Sequence, residues 1–316
     1  MLEDIHVIST LTINTAIDNL FFIDALNKNN TNRIQKSVEV LGGKGTHVSL
    51  NLSELGVKSQ CFGVVRGEVG GRIHNILNAR SNIDVKLLCC SDGNSRQNYA
   101  LIENDGICTL IVEKGVMLER TACEQLLELI DENTQPGDYM VLSGDASNTE
   151  VPFIYNLIME RLKRKNVKFF LDTSSQNLIE GLKAKPFLVK PNMDELSQIF
   201  GSSIVGEQGV VHAMDQILST GVQVVTVSCG GDGSYVKTNK EAYRVYPLAV
   251  NVKNTIGCGD AYLSGLVYGF SKNEPLERII RYAAAISAAT AESELTVGFD
   301  LQRAMSLVDQ VRIEQI

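Results

Sequence analysis

Asn254-Thr255-Ile256-Gly257-Cys258-Gly259-Asp260 runs directly into a stretch whose apolar residues recur at Leu263, Leu266, Val267 and Phe270. That spacing marks a helix with one buried face. Glycines at a helix N-terminus leave backbone N–H groups bare, and the helix dipole adds positive potential to them. Two readings follow. The stretch is a phosphate cradle with Asp260 beside it, or it is a loop in which Asp260 caps the helix. A carboxylate next to a phosphate repels it, unless its task is to take a proton from an attacking hydroxyl while the amides hold the transferring group. In the first reading Asp260 is the candidate catalytic base, and Gly257, Cys258 and Gly259 are the candidate anion hole.

Outward from this point, strands and helices alternate. Tyr139–Leu142, Val167–Leu171, Phe187–Val189 and Val222–Val227 are continuous apolar strands. Between them, Val151–Lys165 carries Phe153, Ile154, Leu157, Ile158 and Leu162 on one stripe, and a short helix through Leu196, Ile199 and Phe200 is placed to end at Gly201. A last long helix is expected over about Leu276–Ala291. Strands without alternation, spaced by helices, predict a parallel sheet covered on both faces. Two segments break the pattern. Ile34–Leu41 alternates polar and apolar, and Asn98–Glu113 reads as a hairpin about Asn104-Asp105-Gly106. They predict a small second sheet acting as a lid, inserted at about residues 12–41 and 95–113 of one domain spanning 1–316.

Composition excludes several classes of function. The chain has 316 residues and a formal net charge of −8. It has no global attraction for nucleic acid or anionic lipid, so an anionic ligand needs local positive charge. No stretch approaches the ~20 apolar residues of a membrane span. Met1-Leu2-Glu3-Asp4-Ile5-His6 lacks the basic start of a signal peptide. Seven scattered cysteines without C-x-x-C and four histidines without ligand spacing argue for reduced thiols and no structural metal. A soluble, cytoplasmic protein is the expectation.

Four further segments carry chemical potential, each with a plainer alternative. Gly42-Gly43-Lys44-Gly45-Thr46-His47 places a lysine at a helix start but is not a Walker A loop, since Gly45 follows the lysine; the alternative is a flexible connection. Lys190-Pro191-Asn192-Met193-Asp194-Glu195 puts an amide and a carboxylate on one face of a first helical turn, as oxygen donors suited to Mg²⁺, or as a helix start favouring acidic residues. Ser228 to Gly233 ends a strand, where ligands of open α/β sheets lie, or makes a glycine-rich hairpin. Arg96, in Ser95-Arg96-Gln97-Asn98, and Arg33 are candidate phosphate grips or solvated edge residues.

Taken in order along nearly the whole chain, these segments resemble the ribokinase-like carbohydrate kinases, the phosphofructokinase B family. The nearest likeness is to its branch containing 1-phosphofructokinase and tagatose-6-phosphate kinase, through Asn14 with Asp18, Gly43-Lys44-Gly45 and Ser95-Arg96-Gln97-Asn98. The resemblance implies a Rossmann-like three-layer α/β/α core with a small inserted β lid, and a homodimer formed through the lids. It implies ATP and Mg²⁺ as cofactors. Lys190, Asn192, Ser228, Gly230 and Gly233 would then meet ATP, with Asn192 and Glu195 reaching Mg²⁺ through water. Asn14, Asp18, Gly42, Gly43 and His47 would meet the sugar, and Arg33, Lys44 and Arg96 its phosphate. His47 stands where the branch often has Asn, and Asp145 lies in Gly144-Asp145-Ala146-Ser147, where Gly-Ser-x-Pro is usual.

The implied reaction phosphorylates a ketohexose phosphate to the bisphosphate, with fructose 1-phosphate favoured as acceptor. Tagatose-6-phosphate kinase and 6-phosphofructokinase are the alternatives, with an unphosphorylated-sugar or nucleoside kinase beyond them. A protein that binds nucleotide or sugar phosphate without turnover is the alternative of another class.

Overall fold

The protein was analysed as a computed structural model, which describes residues 6–316; the reading of residues 1–5 as no part of a signal peptide lies outside them. The strands are β1 (Ile8–Thr12), β2 (Ala16–Ile23), β3 (Lys36–Gly42), β4 (Ser59–Arg66), β5 (Ile83–Cys90), β6 (Arg96–Glu103), β7 (Cys108–Val112), β8 (Tyr139–Ser143), β9 (Lys168–Asp172), β10 (Leu188–Val189), β11 (Val224–Ser228), β12 (Ser234–Thr238), β13 (Ala242–Val245) and β14 (Ile313–Gln315). The helices are α1 (Lys44–Glu54), α2 (Gly67–Asn78), α3 (Arg120–Asn133), α4 (Ile154–Arg161), α5 (Ser175–Lys183), α6 (Met193–Phe200), α7 (Gly206–Ser219), α8 (Cys258–Ser271), α9 (Leu276–Ala291) and α10 (Leu301–Leu307).

Ten strands form the central sheet, in the order β14-β13-β12-β11-β10-β9-β8-β1-β4-β5. From β11 through β5 every pairing is parallel. Successive side chains of a strand point to opposite faces, and here both faces are dry. Met140 and Leu142 join a cluster with α3 to α7, while Tyr139 and Val141 join one with α1, α8, α9 and α10. This is the expected α/β/α sandwich. Beyond β11 the sheet is extended antiparallel by β12 to β14. The Gly230–Gly233 turn reverses the chain there. Gly233 has φ 87°, and a Cβ on it would lie 2.1 Å from the Val245 carbonyl oxygen.

A second sheet has the order β3-β2-β6-β7, with β2 and β6 parallel. β1 ends in the core at Thr12, and Asp18 rides on β2 of the small sheet. Leu20, Val40, Ala100 and Ile102 form that sheet's own cluster, against which Ile256 and Val297 pack. The lid therefore leans on the loop that precedes α8. Helix α9 is the last long helix, and the short α10 follows it. Among the described residues no helix is long and apolar enough to cross a membrane.

Candidate active site

The turn before α8 is shaped by close approach. Gly257 has φ 79°, and a Cβ on it would lie 1.7 Å from the Thr296 carbonyl oxygen, so only glycine fits. Asn254 braces the turn by accepting from the Ile256 N–H at 2.9 Å. No side chain caps α8. Asp260 is thus not a cap, and the second reading of this stretch falls. The N–H groups of Gly259 and Asp260 belong to the first helical turn and have no partner within the helix. Asp260 is buried. Its Oδ2 lies 2.7 Å from Nδ1 of His47, and among the described residues Oδ1 makes no hydrogen bond. Burial, and then the charge of Asp260, push the Cys258 thiol up to about 11.

Two lysines approach this turn. A Cβ on Gly259 would lie 3.6 Å from Nζ of Lys190. Lys190 pairs with Oδ2 of Asp172 at 3.2 Å, and Lys44 donates to Oδ1 of the same carboxylate at 3.2 Å. Asp172 is 1% exposed. Burial alone would raise its pKa, but Lys190 and Lys44 outweigh that and hold it below the ordinary value. Asp172 raises the Lys44 pKa against the opposing effect of burial, with help from Asp260 and Glu195. Lys44 is therefore held beside the anion turn by Asp172. Sequence reasoning missed Asp172. The available signal was an acidic residue closing the apolar run Phe169-Phe170-Leu171, at the carboxyl end of a parallel strand.

Asn192 and Glu195 form a capping box: the Asn192 side chain accepts from the Glu195 N–H at 2.8 Å, and Glu195 Oε2 accepts from the Asn192 N–H at 2.9 Å. Both side chains are thus largely spent on the start of α6. The second oxygen of Glu195, Oε1, makes no hydrogen bond among the described residues. No group of three His, Cys, Asp or Glu side chains able to hold a metal occurs among them either. A single free carboxylate oxygen fits Mg²⁺ held mainly by phosphates and water. Ser228 donates its N–H to the Pro191 carbonyl at 3.1 Å, which sets the Ser228–Gly233 turn beside this box. That turn is a hairpin, as its plainer reading held, and Gly230 faces open space.

The lid side gathers the remaining candidates. Asp18 Oδ1 accepts from Nδ2 of Asn98 at 2.7 Å. A Cβ on Gly42 would lie 2.2 Å from that oxygen, and one on Gly43 would lie 2.7 Å from the Thr12 methyl. Asn14 is buried and donates to the Lys114 carbonyl. Arg96 donates from Nη2 to the Asn14 carbonyl at 2.6 Å, while its Nε and the Oδ1 of Asn98 are buried without partners. Arg96 also feels the charges of Asp18 and Asp145.

Two placements differ from expectation. His47 is buried with both ring nitrogens bonded inside the protein, one to Asp260 and one to the Leu41 carbonyl at 2.8 Å, so it has no atom left for the sugar. Arg33 is exposed beyond the far end of the β2–β3 ladder. The pairs Phe22–Lys36 and Ala16–Gly42 bound that ladder; six residues at ~3.3 Å each put Lys36 about 20 Å from Gly42, and Arg33 precedes Lys36 in the loop beyond it.

Comparison with known proteins agrees with this fold. A model described as pfkB family carbohydrate kinase matches residues 5–301. The chain is 31% identical over 288 residues to a 1-phosphofructokinase of Bacillus subtilis (strain 168), covering 91% of this chain and 93% of that one. It is 27% identical to a tagatose-6-phosphate kinase of Staphylococcus epidermidis, over 98% of this chain and all of the other. The structure of phosphofructokinase-2 from Escherichia coli shares the fold, with a TM-score of 0.90 at 22% identity over 96% of this chain and 99% of that one. The chain belongs to the pfkB family of carbohydrate kinases, phosphotransferases that act on an alcohol group.

Proposed function

We propose that the protein transfers the γ-phosphoryl group of ATP to the free hydroxyl of a ketohexose phosphate, fructose 1-phosphate being favoured, to give the bisphosphate. The observation that carries this reading is the buried carboxylate of Asp260, with Oδ1 free, in the first turn of α8 behind Gly257 and beside Lys190. A hydroxyl oriented at Oδ1 gives up its proton as its oxygen attacks the phosphorus. The free amides of Gly259 and Asp260 take up charge on the phosphoryl oxygens. Lys44 and Lys190, held by Asp172, supply positive charge at the same place. Mg²⁺, when bound, neutralises phosphate charge, and the free Oε1 of Glu195, in the box it forms with Asn192, would hold it through water.

Asp18 and Asn14 orient the sugar hydroxyls. Arg96, with its unpartnered Nε, takes the acceptor phosphate. The identity to a 1-phosphofructokinase supports fructose 1-phosphate; the coverage of tagatose-6-phosphate kinases keeps tagatose 6-phosphate as the second reading. ATP dependence and seven free thiols fit a cytoplasmic setting. The exposed Leu110, Ile111 and Val112 of β7 support a homodimer through the lids. ADP release is measured with fructose 1-phosphate, tagatose 6-phosphate and fructose 6-phosphate. Turnover with one of them supports the proposal, and none with any of them contradicts it in favour of a binding protein.

A further inference from the structure

His47 lies three residues past Lys44 in α1, and its imidazole bridges two other elements. Nε2 is 2.8 Å from the Leu41 carbonyl of β3, and Nδ1 is 2.7 Å from Oδ2 of Asp260 in α8. A carbonyl oxygen only accepts, so Nε2 carries a proton. A contact of 2.7 Å between Nδ1 and a carboxylate oxygen requires a proton between them as well. Without it two lone pairs would face each other in a buried site. The remaining charged groups around the ring are few. Asp18 on β2 is the second anion that acts on it. Lys44, one turn away on the same helix, is tied to Asp172. Burial is the largest influence on the ring and opposes its charge, but Asp260, Asp18 and the Leu41 carbonyl outweigh it, so its pKa is raised.

We propose that His47 is a positioning residue for the catalytic base: as an imidazolium it holds Oδ2 of Asp260, so that Asp260 acts through Oδ1 alone. This rests on the reading of Asp260 as base. In the step, the acceptor O–H proton moves to Oδ1 while the acceptor oxygen bonds to the γ-phosphorus and the bond from that phosphorus to ADP breaks. His47 keeps both its protons throughout. Since its pKa is raised, the arrangement is complete below the ordinary histidine range and is lost as pH rises through the higher value. Activity then falls on the alkaline side, where a carboxylate base alone would show no loss.

The test compares kcat and acceptor KM against pH for wild type, His47→Asn and His47→Ala. Asn sets its Nδ2 where Nδ1 of His47 stands, so it donates to Oδ2 without titrating. The expected result is an alkaline limb in wild type and none in His47→Asn, which keeps kcat within about tenfold. His47→Ala should lose ~10²-fold in kcat with little change in KM. The same alkaline limb in His47→Asn, or a raised KM with unchanged kcat in His47→Ala, overturns the proposal.

A second readout needs no change at the site. His6, His74 and His212 are replaced by Gln, leaving His47 as the only histidine, and its ring nitrogens are followed by ¹⁵N NMR at neutral pH. Two protonated nitrogens support the proposal, and an unprotonated one overturns it. Asp260→Asn separates the two levels of the argument. If that variant is inactive while His47→Asn keeps the wild-type profile, only the His47 assignment falls; if it turns over normally, the reading of the base falls too.

Discussion

Replacing Asp172 with Asn leaves two ammonium groups facing a neutral amide. In the native chain Nζ of Lys44 and Nζ of Lys190 each lie 3.2 Å from one oxygen of this carboxylate. Removing one partner of a buried ion pair costs ~3–5 kcal/mol, because the other charge stays behind. Lys190 is 5% exposed at its side chain but Lys44 is 39% exposed, so water relieves part of the loss and the lower figure of about 3 kcal/mol applies. An unfolding entropy of ~2.1 cal/mol/K per residue gives roughly 0.66 kcal/mol/K for a chain of 316 residues. The expected fall in Tm for Asp172→Asn is therefore about 5 °C.

Thermal unfolding with and without Mg-ATP measures this. Phosphates return the missing negative charge, so the nucleotide should raise the variant's Tm by more than it raises that of wild type. A Tm within about 1 °C of wild type, or a smaller increment with nucleotide, would refute the claim that Asp172 presents both lysines to a phosphate.

Two other substitutions probe opposite ends of the site. Gly257→Ala sets a methyl against the Thr296 carbonyl at a φ of 79°; a cost of ~2–4 kcal/mol is expected, seen as a Tm lowered by at least about 3 °C together with loss of turnover. Arg96→Ala removes the grip on the acceptor phosphate; the acceptor KM should rise at least about tenfold with the KM for ATP unchanged, since a charge-assisted hydrogen bond is worth ~1.5–3 kcal/mol, and an unaltered acceptor KM refutes that role.

What the sequence discloses is mostly local. Gly201 ends α6 in the left-handed conformation at φ 64°, as a glycine at that spacing should. Helix α9 begins after Pro275 and spans Leu276–Ala291, because its apolar period is unbroken. The Gly257–Asp260 turn is legible for the same reason, since its neighbours in the chain are its neighbours in space. Features assembled from distant segments were misread or missed. Asp172 looks like the end of a strand until Lys44 arrives from 128 residues away. His47 reads as a sugar contact until α8 brings Asp260 to it across 213 residues. Arg33 differs: its position depends on how far the β2–β3 ladder extends before it turns, which alternation alone does not set.

Asp260 carries the most direct test. Its replacement by Asn keeps the size of the side chain and the hydrogen bond with His47 but removes the basic oxygen that faces the acceptor. With a phosphosugar that wild type turns over, ADP release by Asp260→Asn should fall at least ~10²-fold, while ATP binding measured by calorimetry stays within a few-fold of wild type. Near-normal ADP release in that variant would contradict the claim that Asp260 is the base.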